Sequence, residues 1–218
     1  MGTTSGPDPK LAICKYRSRA SGYDASARRT FALRQRTIGL LGLSSGECVL
    51  DVACGTGLSF PMLREGVGDA GFVTGVDVSA DMTTLAERRV ATSGWKNVRV
   101  VTAPMESAGL DGPYDAVLFN YTHDVLQSSA ALANILAHLR PGARVALAGI
   151  KHPSVWFLPL RWWRLLKARP YVTTLSGLDA PWARLLPCLE DFRMSTFMLG
   201  TNYVASARVR TMAAKRPD

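Results

Sequence analysis

Apolar residues fall along this chain in short, nearly unbroken runs, separated by stretches with helical spacing. Residues 48–52, 71–77, 98–101, 114–120 and 144–150 form the runs. Their length and lack of polar alternation suit strands buried on both faces, as in a parallel sheet. Between them, residues 58–65, 80–92 and 128–139 read as helices. Ser79 stands where an N-cap belongs, and Ser93-Gly94 stands where that helix should stop. Arg140-Pro141-Gly142 reads as the turn into the fifth strand. Residues 11–41 read as helical with a break near Ser21-Gly22, and 192–199 and 203–209 are two further strand candidates. Strands alternating with helices predict an α/β, doubly wound parallel sheet.

The turn after the first strand carries the most information. Val49-Leu50-Asp51-Val52-Ala53-Cys54-Gly55-Thr56-Gly57 runs a strand into an acid and then into two glycines one residue apart. Such a turn places backbone within contact distance of a ligand at the carboxyl end of a strand. A phosphate-cradling loop would need Lys-Ser or Lys-Thr after its last glycine, and this chain has Leu58-Ser59. A dinucleotide turn would place a third glycine three residues on, and that position is Phe60. A nucleoside without phosphates is the remaining ligand class. Gly75-Val76-Asp77-Val78-Ser79 then ends the second strand on an acid about twenty residues downstream. A carboxylate there offers two acceptors to the vicinal hydroxyls of a ribose.

In these motifs the chain resembles the class I S-adenosylmethionine (SAM) methyltransferases, over about residues 13–150 and more loosely beyond. It looks nearest to the small ubiquinone/menaquinone-type and phospholipid-amine N-methyltransferase branch. The resemblance implies a Rossmann-like methyltransferase fold: a mostly parallel seven-stranded sheet closed by a C-terminal antiparallel hairpin. It implies SAM as cofactor, S-adenosylhomocysteine as product, and no metal. Carried over by position, Asp51, Ala53, Cys54, Gly55, Thr56 and Gly57 would line the methionine end. Asp77 would hold the ribose, Val78 and Met82 would flank the adenine, and Met105 and Glu106 would read its edge. Asn120 would lie beneath the methionine end, with Tyr16 and Tyr23 closing over the cofactor. The family often has Gly-Asp-Ala-Glu after the third strand, whereas here Ala103-Pro104-Met105-Glu106 stands. Proline lacks the side-chain acceptor, so adenine recognition is expected to lean on backbone near Met105.

Composition bounds the rest. The 218 residues suffice for one domain with a full core, and 47% hydrophobic with 20% charged residues is an ordinary globular balance. Residues 1–12 read as a disordered lead-in without a signal-peptide core, and 13–212 as one domain. Within it, 13–42 form a helical cap and 151–184 a Trp/Arg-rich lid. The four cysteines form no CxxC pair, which gives neither a metal site nor a disulfide framework and suits a cytoplasmic protein. The net charge of +9 is uneven: 8 Lys/Arg against 2 Asp/Glu over residues 1–40, 7 against 11 over 41–150, and 6 against 1 over 151–184. Basic flanks around an acidic core are either solvated faces or contacts to an anion, including the inner face of a membrane approached peripherally.

Methyl transfer needs a base only when the nucleophile is protonated. The candidates follow the fourth strand: Tyr121, His123 and Asp124, with His152 after the fifth. Against these roles, Asp124 could cap the next helix, His123 could pack beside the cofactor, and His152 could sit in a plain turn. His138, among alanines and leucines, reads as structural. Trp156, Trp162, Trp163, Tyr171 and Trp182, together with His123, are the acceptor-pocket candidates. Residues 151–171 hold three tryptophans and five cations. They fit a helix over the sheet edge, an aromatic lid, or an interfacial anchor.

The expected activity is methyl transfer to a small, largely apolar acceptor at N, O or C. Two alternatives are a phospholipid-amine N-methyltransferase at a membrane surface, and aminocarboxypropyl transfer or cyclisation on the same scaffold. A non-catalytic SAM-binding protein is a third. The Asn-Pro-Pro-Tyr type motif of amino-methylating DNA enzymes does not occur after the fourth strand, which argues against nucleic acid; a homodimer stays open.

Overall fold

A computed structural model describes residues 7–17, 24, 30–152 and 173–211. Strands β1 (Cys48–Val52), β2 (Phe72–Asp77), β3 (Val98–Thr102), β4 (Tyr114–Asn120), β5 (Leu139–Ile150), β6 (Leu189–Phe197) and β7 (Asn202–Val209) form one seven-stranded sheet in the order 3-2-1-4-5-7-6. Strands β1 to β5 pair in parallel, while β7 runs antiparallel between β5 and β6. This is the α/β methyltransferase architecture with its closing hairpin. Helices α1 (Pro9–Arg17), α2 (Phe31–Gly39), α3 (Phe60–Val67), α4 (Ala80–Ser93), α5 (His123–Leu126) and α6 (Ser129–Ala137) cover the sheet.

The continuous apolar runs are continuous because both faces are covered. Leu50, Val52, Val117, Phe119, Val145 and Leu147 pack on one face with Leu126, Leu132 and Ile135. Val49, Ala116, Leu118 and Ala146 pack on the other with Ile38, Phe60, Leu63 and Val67. Successive residues of a strand point to opposite faces, so each strand needs both sets.

Three local expectations change. Asp8 accepts the Lys10 and Leu11 N–H groups at 2.9 and 3.1 Å, and Pro9 opens α1. The Asp-Pro pair is a cap and first-turn signal, so helix begins inside the stretch read as a lead-in. Arg140-Pro141-Gly142 is not a turn between elements but part of β5: Tyr114 pairs Leu139 and Ala116 pairs Arg144, leaving 140–143 as an irregularity in the ladder. Ser79 holds the N-cap position of α4 without a side-chain cap bond; its own N–H instead donates to Asp77 Oδ1 at 2.9 Å.

The sheet order reverses between β1 and β4. The residue after β1, Ala53, and the residue after β4, Tyr121, have φ of 50° and 63°. Each non-glycine residue held there costs on the order of 1–2 kcal/mol. The backbone thus turns sharply at both lips of the crevice where α/β sheets bind ligands.

Candidate functional site

A cleft of about 910 Å³, part of it open to solvent, lies over the carboxyl ends of β1, β2 and β4. Ala53, Gly55, Asp77, Val78, Met82, Met105, Glu106 and Asn120 line it, as do Tyr121, His123 and Asp124. Pro7 and Asp8 complete one wall. Asp8 was missed in the sequence, where only its capping chemistry could have drawn notice.

Asp77 is held through both of its oxygens. Its Oδ2 accepts the Gly55 N–H and its Oδ1 the Ser79 N–H, both at 2.9 Å. Burial raises its pKa, and these backbone donors oppose the rise. A carboxylate oxygen has two acceptor sites, so each Asp77 oxygen retains one. The Gly55 N–H is thereby committed to Asp77, while Gly55 itself lines the cleft.

Phe60 explains which ligands the turn refuses. A Cβ on Gly57 would meet the Phe60 ring at 2.6 Å, and one on Gly75 would meet it at 2.5 Å. The ring fills, fully buried, the space behind the turn. Both glycines give this ring its room.

Several expected cofactor residues lie behind the cleft. Asp51 is buried, and beside it Arg34 Nη1 donates to Ser59 Oγ at 2.9 Å. Burial lifts the Asp51 pKa to about 7; Arg34 and Ser59 oppose this and Asp77 adds to it. Arg34, one of the eight cations of residues 1–40, is buried, and Arg36 lies 5.1 Å over the Phe197 ring. Cys54 is buried and burial raises its thiol pKa, which disfavours the thiolate. Thr56 Oγ1 donates to Asp24 at 2.6 Å, and Arg89 Nη2 donates to the same carboxylate at 2.7 Å. Tyr23 lies outside the described residues, as does the side chain of Tyr16.

After Pro104, the Met105 carbonyl accepts Asn134 Nδ2 at 2.8 Å, as does the Ala108 carbonyl at 3.1 Å. Glu106 brings a carboxylate to this wall, with Oε1 accepting from Ser128 Oγ at 2.7 Å. Asn134 could not be found from the motif, because its partner carbonyls belong to the loop after β3.

The opposite wall leaves polar atoms unmatched. Asn120 Nδ2 and Oδ1, Thr122 Oγ1 and His123 Nδ1 are buried without a protein partner. His123 Nε2 lies 2.9 Å from the Ser176 carbonyl. Burial lowers the His123 pKa, with a smaller contribution from His152, while Asp124 and Ser176 oppose it. Tyr121 OH donates to Asn202 Oδ1 at 3.2 Å. The His152 N–H donates to the Leu178 carbonyl at 2.8 Å, and His152 is not among the cleft-lining residues.

Of the aromatic acceptor candidates, Trp182 is corrected. It is buried in the core, edge-on to Tyr203 at 4.8 Å and 5.6 Å from Phe192. A large ring beside two core strands fills volume, and aromatic composition alone does not tell core from pocket. Trp156, Trp162, Trp163 and Tyr171 lie outside the described residues. Among the described residues no group of three or more His, Cys, Asp or Glu could hold a metal, and no helix is long and apolar enough to cross a membrane.

Residues 49–142 match the methyltransferase domain family. A demethylmenaquinone methyltransferase of Lactococcus lactis is 31% identical over 127 residues, 56% of this chain and 49% of that protein. A malonyl-[acyl-carrier protein] O-methyltransferase of Serratia marcescens is 29% identical over 154 residues, covering 70% and 58%. This chain thus spans about half the length of the curated relatives it matches. A crystal structure of a SAM-dependent methyltransferase from Aquifex aeolicus superposes with a TM-score of 0.62 at 21% identity, covering 93% of this chain and 98% of that one. The methyltransferase-domain match thus covers residues 49–142, and the likeness to the Aquifex structure shows the same fold over most of the chain.

Proposed function

We propose that this chain, built on a class I SAM-dependent methyltransferase domain, moves a methyl group from SAM to a small, largely apolar acceptor bound against residues 120–124. The observation that carries this reading is one cleft with two chemically different walls. Asp77 offers two aligned acceptor oxygens on one side, and the unmatched polar atoms of Asn120, Thr122 and His123 stand on the other.

The cleft fits the cofactor's parts. Asp77 would accept from the ribose hydroxyls, Val78 and Met82 would flank the base, and Met105 and Glu106 would meet its edge. The Met105 carbonyl keeps a second acceptor site beside its bond from Asn134, and with the Glu106 carboxylate it would meet the exocyclic amine that Pro104 cannot. Asn120 would hold the amino-acid end. SAM supplies a methyl on an already electrophilic sulfonium. The chain's contribution is orientation, worth roughly 7–11 kcal/mol when the reacting groups are held in line. His123 adds a proton acceptor at Nδ1 for a nucleophile that arrives protonated. Tyr121, tied to Asn202, shapes the wall beside it.

The relatives named for demethylmenaquinone and for malonyl-[acyl-carrier protein] make a quinone-type ring and an acyl-carrier ester the first two acceptor classes to test. The purified chain, given SAM with a labelled methyl and each acceptor in turn, should release S-adenosylhomocysteine and label the acceptor. Release of methylthioadenosine would replace the reading with aminocarboxypropyl transfer. Release of neither product across quinone, ester and amine acceptors would leave a SAM-binding protein. Peripheral membrane action is supported by the basic flanks alone. It predicts cosedimentation with anionic vesicles at low salt.

A further inference from the structure

The wall at 120–124 is held from a segment fifty residues away. Both carboxylate oxygens of Asp124 are engaged: the Thr173 N–H donates to Oδ2 at 2.9 Å and to Oδ1 at 3.1 Å, and the Thr174 N–H reaches Oδ1 at 3.4 Å. Thr174 Oγ1 then accepts the Ser176 N–H at 3.1 Å. The Ser176 carbonyl meets His123 Nε2 at 2.9 Å. The path is closed: Asp124 grips the start of the strap 173–176, and the strap returns to the residue before Asp124.

A carbonyl oxygen can only accept, so His123 Nε2 carries the proton and Nδ1 the lone pair. Nδ1 is buried with no protein partner, in a residue that lines the cleft and is only 7% exposed. A buried acceptor left unmatched is costly, so a ligand that donates to it binds more tightly than one that cannot.

We propose that Asp124 is a positioning residue: through the 173–176 strap it locks His123 as the Nε2–H tautomer, and the cleft therefore selects an acceptor molecule whose nucleophilic atom carries a proton. A hydroxyl or an N–H fits; a tertiary amine or a thioether leaves Nδ1 unmatched. This rests on the methyl-transfer reading for the acceptor's role, but the tautomer itself is a property of the protein alone. The titratable groups that act on the imidazole are Asp124 on its own helix and His152 beyond β5, and Asp8, Asp77, Glu106 and Tyr121 line the same cleft.

Nitrogen-15 NMR of the histidine side chains in the full chain tests it. His→Gln variants assign the three histidines at 123, 138 and 152. His123 should appear as the Nε2–H tautomer and titrate below the usual imidazole range near 6.5. Asp124→Ala should mix the tautomers and lower the titration further, because the carboxylate and the Ser176 contact both favour the protonated ring. Asp124→Asn keeps an oxygen for the Thr173 N–H and should restore most of the bias. Thr174→Val, which removes only the hydroxyl that holds Ser176, should give a partial loss and decides the matter if Asp124→Ala does not fold. With S-adenosylhomocysteine present, phenol should shift the Nδ1 signal and anisole at equal concentration should not. An Nδ1–H tautomer in the wild type overturns the proposal. So does a tautomer and titration unchanged in the folded variants, or equal shifts with phenol and anisole. Calorimetry with S-adenosylhomocysteine separates the two readings: failed binding sinks the methyl-transfer proposal and leaves the tautomer result standing.

Discussion

The two walls of the cleft are built in opposite ways. On the β1–β2 side the acid that lines the cleft, Asp77, takes N–H groups from Gly55 and Ser79, and Phe60 closes the space behind the glycine turn; the unmatched Asp51 Oδ2 and Ser79 Oγ are not part of the lining. On the β4 side, four buried polar atoms of Asn120, Thr122 and His123 have no protein partner, and the groups that are matched find their partners far along the chain. A rigid wall suits a ligand that is the same in every turnover. A wall of unmatched polar atoms suits the ligand that differs from one enzyme of the family to the next. Buried polar groups without partners are costly, so their clustering at one strand end marks where binding energy is to be recovered.

Substitutions can break this contrast, beginning with the largest expected effect. Trp182→Ala should destabilise the protein by about 3–5 kcal/mol, as for other large-to-small core changes, and denaturant melts would show it. A loss below about 1 kcal/mol would return Trp182 to the acceptor side. Gly75→Ala forces a Cβ against the Phe60 ring and should cost about 3 kcal/mol. Adding Phe60→Leu should recover part of that loss, since the two sites share one space.

Asp51 gives a pH signature to the same side. Its pKa is raised from 3.8 to about 7, so between these values the folded protein keeps a proton that the unfolded chain has released. Stability should therefore fall as pH rises from about 4 to about 7, by up to a few kcal/mol. Asp51→Asn should flatten that fall, which chemical melts across the range would register. Least affected should be the exposed pair at the edge of the glycine turn. Arg89→Ala removes contacts to Asp24 and to the Thr56 carbonyl and should cost under about 1 kcal/mol, shifting Tm only slightly.

The same contrast governs what the chain discloses before it is folded. The five parallel strands are legible because burial on both faces writes an unbroken apolar run. The glycine turn and Asp77 are legible because their chemistry is local: Asp77 and its partner Gly55 close one strand-helix-strand unit. The β4 wall is not, because it is assembled across long separations. His123 meets Ser176 53 residues on, Asp124 meets Thr173 after 49, and Tyr121 meets Asn202 after 81. No spacing rule joins such pairs. Arg34 misleads for a related reason: on α2 it counts as one more cation until the sheet buries it beside Ser59. Trp182 misleads because an aromatic ring has the same composition in a core as in a pocket.

Isothermal calorimetry with S-adenosylhomocysteine tests the central claim most directly, on the wild type and on Asp77→Ala verified as folded. The account predicts one-site binding by the wild type, and affinity about 10–100-fold weaker in the variant, as expected for losing hydrogen bonds to a charged acceptor. No binding by the folded wild type, or equal affinity in the two proteins, would contradict it.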